Sequence, residues 1–156
     1  AGRTYTDTVA VTGTCTTSKN TPCTVVGASL PISISVTSSC SITSTPGTLN
    51  LAYSSFQSTA GAGNVPFGAQ CSNGAPYRMS VSPTNGTLLG VAYSLRLGTS
   101  AGSATNISST TTYNLTGTGS AVTYYVNATA ASGQVGTCAS GTCQALSPPH
   151  TLLIEY

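Results

Sequence analysis

Apolar residues recur at every second position through much of this chain, and that period restricts what it can fold into. Leu30, Ile32, Ile34 and Val36 alternate with Pro31, Ser33 and Ser35. The same spacing runs through Leu49, Leu51 and Tyr53, through Tyr77, Met79 and Val81, and through Val91, Tyr93, Leu95 and Leu97. It returns in Tyr113 with Leu115, in Val122, Tyr124 and Val126, and in Leu152, Ile154 and Tyr156. A period of two places these side chains on one face of a strand, whereas a helix needs spacings of three and four, which no long stretch provides. Turn clusters separate the runs: Thr45-Pro46-Gly47, Ser72-Asn73-Gly74 and Pro83-Thr84-Asn85-Gly86. Short strands that each bury one face predict an all-β, two-sheet antiparallel sandwich of the immunoglobulin-like kind.

Charge is nearly absent: 4% of the 156 residues are charged, against 39% hydrophobic. Disordered chains are rich in net charge and poor in Val, Ile, Leu and Tyr, so this one is expected to fold. Its length suits one sandwich with a real core. Arg3, Lys19, Arg78 and Arg96 face only Asp7 and Glu155, and four scattered cations make no stripe for nucleic acid. No run of about 18 apolar residues is long enough to span a membrane. The start at Ala1, without a Met or an apolar leader, is expected for a processed secreted protein.

Six cysteines, at 15, 23, 40, 71, 138 and 143, point the same way. An even count without acidic or histidine ligands nearby favours disulfides and an oxidising compartment. Zinc is the rival, but neither close pair has the two-residue spacing of a zinc knuckle, and His150 is the only histidine. Of fifteen possible connectivities, the two close pairs favour Cys15–Cys23 and Cys138–Cys143, leaving Cys40 for Cys71.

Catalysis finds few candidates. Paired carboxylates would have to come from Asp7 and Glu155, each in a strand run. His150, Asp7 and a serine make a triad only on paper, because no Gly-x-Ser-x-Gly turn presents a nucleophile. Ala60-Gly61-Ala62-Gly63 lacks the lysine and helix of a phosphate loop and reads as a flexible turn. No cofactor or metal is expected. The tyrosines in strand runs suit a core better than a sugar-stacking platform. Asn85, Asn106, Asn114 and Asn127 open N-glycosylation acceptor sequences, which arise readily in so Ser/Thr-rich a chain.

From Cys40 onward the order of pieces is specific. Ser38-Ser39-Cys40-Ser41-Ile42 precedes Pro46-Gly47-Thr48-Leu49-Asn50-Leu51. Gln70-Cys71-Ser72-Asn73-Gly74-Ala75-Pro76-Tyr77-Arg78-Met79 follows, then Gly86-Thr87-Leu88-Leu89, Val91–Leu95 and the closing His150–Tyr156. This order resembles the spore coat protein U domain, the fold of subunits of archaic chaperone–usher pili. The family's aromatic–Gly element after the Leu95 strand has no counterpart in Gly98–Ser109. Tyr5-Thr6-Asp7-Thr8-Val9-Ala10-Val11 is similar to the family's own last-strand motif, although it stands near the beginning.

The resemblance implies a sandwich lacking its last strand, completed by a donor strand from a neighbouring copy. It also implies a periplasmic chaperone and an outer-membrane usher as partners, and an extracellular filament serving adhesion or biofilm formation. Two segments compete to be the donor. Leu30–Val36 has the stronger apolar face but runs into Cys40, whereas Arg3–Val11 lies beyond a stapled loop and is the freer, with Tyr5, Val9 and Val11 as anchors. Asp7 shares that face, and burying an unpaired carboxylate is costly. The expected organisation is a donor extension over 1–14, a stapled linker over 15–29 and a sandwich over 30–156. A tip adhesin or carbohydrate-binding domain, or a spore or cell-coat protein, is the alternative.

Overall fold

The computed structural model describes residues 3–11, 13, 15–16, 18–19, 22–23, 27–112, 114–139 and 141–156, with the backbone alone at 3, 11, 15, 16, 22, 23 and 28. The chain divides into two units, Ala1–Ser38 and Ser39–Tyr156. Leu30–Val36, expected within the sandwich, therefore lies in the first unit.

That unit is built on an antiparallel hairpin. β1 (Arg3–Val11) pairs with β4 (Ala28–Val36) over nine residues, Arg3 opposite Val36 and Val11 opposite Ala28. Residues directly opposite share a face. Tyr5 with Ile34, Asp7 with Ile32 and Val9 with Leu30 therefore line one side, while Thr4 with Ser35, Thr6 with Ser33 and Thr8 with Pro31 line the other. The connection carries a small ribbon, β2 (Cys15–Thr16) against β3 (Pro22–Cys23), with Cys15 opposite Cys23. The side chains of that cysteine pair, and so the expected bridge, lie outside the described residues.

The second unit is the predicted sandwich. One sheet has five strands in the order β5 (Cys40–Ser44), β6 (Gly61–Cys71), β11 (Ala121–Ala130), β9 (Val91–Gly98) and β8 (Asn85–Leu88). The other has three: β10 (Leu115–Thr116), β7 (Pro76–Ser82) and β12 (Thr151–Glu155). Every pair of strands is antiparallel. Alternate residues of each strand meet in one core. Val65, Phe67 and Ala69 of β6, Leu95 and Leu97 of β9, and Tyr124, Val126 and Ala128 of β11 face Tyr77, Met79 and Val81 of β7. Met79 and Leu97 are wholly buried, and each large apolar side chain so placed contributes about 1.5–3 kcal/mol. No α-helix occurs among the described residues.

One expected strand is absent as a ladder. Leu49, Leu51 and Tyr53 do alternate, half-buried against the core with Asn50 and Ala52 exposed. Yet this segment joins neither sheet, and Leu49–Tyr53 makes no backbone–backbone hydrogen bond with another described residue. It lies instead across the glycines that open β6. A Cβ at Gly63 would sit 2.4 Å from the Asn50 carbonyl oxygen, and one at Gly61 3.2 Å from that of Ala52. Only glycine admits a backbone so close. The expected Tyr113 lies outside the described residues, whereas Leu115 forms β10 with Thr116.

Candidate assembly surface

β12 ends its sheet. It pairs with β7, Leu152 opposite Val81 and Ile154 opposite Met79, and no described strand pairs with its other edge. Leu152 and Ile154 are only partly buried against the core, and Leu153 and Tyr156 are exposed. An edge strand presents a row of unmatched N–H and C=O groups to any chain that can match them. The Leu49–Tyr53 backbone, packed on the same core, presents a second such row. Five strands thus face three, and the β12 side of the smaller sheet has no described strand beside it.

Two clamps hold β12. Near its end, Arg78 of β7 grips Glu155 with Nε donating to Oε2 at 2.8 Å and Nη2 to Oε1 at 2.9 Å. Those hydrogen bonds, with the guanidinium charge behind them, hold the Glu155 carboxyl below its ordinary value in spite of partial desolvation. Just before its start, His150 Nδ1 lies 2.7 Å from the Pro83 carbonyl oxygen, and Nε2 lies 2.9 Å from the Tyr93 hydroxyl. A carbonyl only accepts, so Nδ1 carries the proton and, in the neutral ring, Nε2 accepts from Tyr93. Tyr93 belongs to β9, so the imidazole links the two sheets at the root of β12.

The residues weighed for catalysis are therefore engaged structurally. Both nitrogens of His150 and both oxygens of Glu155 have partners, and Asp7 Oδ1 accepts the Thr8 N–H at 2.7 Å. Cys40 bonds to Cys71, tying β5 to β6, and Cys138 bonds to Cys143. The cleft beside the first bridge, about 220 Å³ and lined by Ser39, Ser41, Gln70, Ser72 and Gly119, is below the roughly 300–1,000 Å³ of a small-molecule site. Among the four acceptor asparagines, Asn127 is buried. Its Oδ1 accepts from Gly102 N at 2.7 Å and its Nδ2 donates to the Ser100 carbonyl, which leaves no amide to carry a sugar.

In the first unit the two rival donor segments are each other's partners. Tyr5, Leu30, Ile34 and Val36 are each more than half exposed, and Val9 and Ile32 are also exposed. The expected anchors Tyr5 and Val9 thus share one exposed apolar face with their competitors; the Val11 side chain lies outside the described residues. The signal in the sequence is a pair of alternating runs, Tyr5, Val9 and Val11 at odd positions in one and Leu30, Ile32, Ile34 and Val36 at even positions in the other, with Arg3 and Asp7 interrupting the first.

A feature the sequence did not disclose is Phe56, 70% exposed with φ at 61°. Its N–H donates to Gln134 O at 2.9 Å, beside exposed Val135. Tyr53 and the Gln134 side chain brace the loops, the tyrosine hydroxyl donating to Ala131 O and the amide bonding Ala92 N and O.

A family model described as the Spore Coat Protein U domain matches residues 26–148. No curated protein and no solved structure matches the chain.

Proposed function

The chain belongs to the Spore Coat Protein U domain family, and from that membership we propose that it is a filament subunit polymerising by strand donation. In this reading β1 of one copy enters the second unit of the next and lies along the free edge of β12. The observation that carries the reading is the unfinished second sheet, with Leu152 and Ile154 half-buried at its open edge. An added strand would gain main-chain hydrogen bonds from that edge and would place alternate side chains over the core. Tyr5, Val9 and Val11 are the side chains offered.

The expected partners are further copies of the chain, with a periplasmic chaperone and an outer-membrane usher during export. The filament would stand at the cell surface and serve adhesion or biofilm formation. Val9→Asp tests the anchor: it forgoes about 1.5–3 kcal/mol of burial and adds a carboxylate the core cannot solvate. The expected product is a folded monomer with its Cys40–Cys71 bridge intact, where the parent protein forms SDS-resistant ladders. Ladders from Val9→Asp equal to those of the parent would end the reading. Display at a filament tip is a second reading, favoured by Phe56 alone. A chain that stays monomeric and is retained on an apolar surface through Phe56 would select it.

A further inference from the structure

We infer that the outward face of the five-stranded sheet carries a binding site for an acidic polysaccharide, with Tyr125 as its stacking platform and Arg96 as its cation. The site lies in the second unit alone and involves neither β1 nor β12. Successive residues of a strand point to opposite faces of its sheet. Tyr124 and Val126 belong to the core, so Tyr125, partly exposed, points away from it. Tyr77, Tyr93 and Tyr124 are all buried. Tyr125 is thus the one tyrosine in the described strands of this unit that the core does not enclose. Core packing does not account for a large aromatic side chain at this position.

The residues around it are small or polar. Directly opposite Tyr125 are Pro66 of β6 and Gly98 of β9, neither with a side chain long enough to cross the ring. Its diagonal neighbours are Asn64 and Arg96, both exposed and both opposite Asn127. Diagonal neighbours stand about 7–8 Å apart, within reach of aromatic and long side chains. Neither Asn64 nor Arg96 makes a side-chain hydrogen bond or ion pair with a described residue. Asn127 between them is spent on the Ser100–Gly102 turn. On the other side of Tyr125 the hydroxyls of Thr43 and Ser44 lie over Gly68, where an added Cβ would come within 2.8 Å of Ser44 Oγ. An aromatic ring, an amide, a guanidinium and hydroxyls therefore share one face.

That set matches a sugar chain. A pyranose ring has a C–H face that packs on an aromatic ring, and hydroxyls that pair with amides and hydroxyls. Charge decides the class of sugar. Arg78 and Arg96 are the only Lys or Arg residues of the second unit, and Arg78 is committed to Glu155, the unit's one acidic residue, on the other sheet. Arg96 therefore has no acidic side chain on its own sheet, and a guanidinium pairs strongly with a carboxylate in bidentate fashion. One cation is too few for nucleic acid, whose affinity rests on several phosphate contacts. It suits the single carboxylate that each uronic-acid ring carries.

Sodium alginate, a polyuronate, tests the site, with dextran as a neutral sugar chain and poly-glutamate as an acidic chain without rings. Titration calorimetry of the full chain should show binding to alginate and much weaker binding to either control. Tyr125→Ala is expected to weaken alginate binding about tenfold, and Tyr125→Phe, which keeps the ring, to change it little. Arg96→Gln should lower alginate binding to the level of dextran. Both side chains lie outside the core, so each variant should melt with the parent and form the parent's ladders. Failure of this site is thereby distinct from failure of strand donation. No alginate binding by the parent, or an affinity unchanged in Tyr125→Ala, would overturn the inference. Poly-glutamate bound as tightly as alginate would overturn it by showing that charge alone suffices. Dextran bound as tightly as alginate would overturn it by removing the carboxylate from recognition.

Discussion

At the scale of single residues, the sandwich depends on a few polar groups whose partners lie far off in the chain. Tyr77 and Tyr124, both buried, join their hydroxyls across the two sheets. Burial, and then the hydrogen bond with Tyr124, raises the Tyr77 phenol above its ordinary range. Tyr124→Phe would leave the Tyr77 hydroxyl without its partner and is expected to lower stability by about 1–3 kcal/mol. Adding Tyr77→Phe should recover part of that loss, so denaturation of the two single variants and the double variant would show marked non-additivity. Glu155 supplies a pH dependence. Its folded-state value is depressed, so its contribution is full above the ordinary carboxylate range and is lost as pH falls through the folded value. Unfolding curves should therefore show the parent more stable than Glu155→Gln at neutral pH, with the two converging in acid. Asn127 shows the limit of motif reading at this scale. Its acceptor sequence is intact, but the side chain is spent on the Ser100–Gly102 turn, and only the fold reveals that.

At the scale of elements, the period of two was a sound guide to which residues face inward and a poor one to which strands pair. Tyr77–Val81, Val91–Leu97 and Val122–Val126 lie within strands whose alternate residues are buried or partly buried, as their spacing requires. Leu49–Tyr53 has the same spacing and the same inward face but no ladder, because alternation reports burial and says nothing about a hydrogen-bonded neighbour. The β1–β4 pairing escapes the spacing for the same reason: alternation marks each run as a strand and does not name its partner. The clue to the Leu49–Tyr53 path was Gly61 and Gly63, which read as a flexible turn and are in fact the surface on which that segment rests. Gly63→Ala would drive a methyl into the Asn50 carbonyl. Its expected cost is about 1–3 kcal/mol in thermal or chemical denaturation, as for other overpacked sites. Gly141→Ala, where an added Cβ meets nothing within 4 Å, should cost little.

At the scale of the whole molecule, composition and cysteine count already pointed to a disulfide-bonded β protein, and the family match agrees. The division at Ser38 was not legible, because the alternation of Leu30–Val36 runs on toward Cys40 without a turn signal between them. The bridge at that border has a mechanical consequence. Tension arriving along the chain from the first unit reaches Cys40 within two residues and passes through sulfur directly to Cys71. The chain between the two cysteines, which stand 31 apart in sequence, holds most of β5, Leu49–Tyr53 and most of β6 and is bypassed by the load. In the proposed filament, shear would therefore stretch other segments first and leave this span folded. Single-molecule stretching should reveal this as hidden length: reduced protein is expected to extend by roughly 100 Å more than bridged protein, at about 3.3–3.6 Å for each released residue.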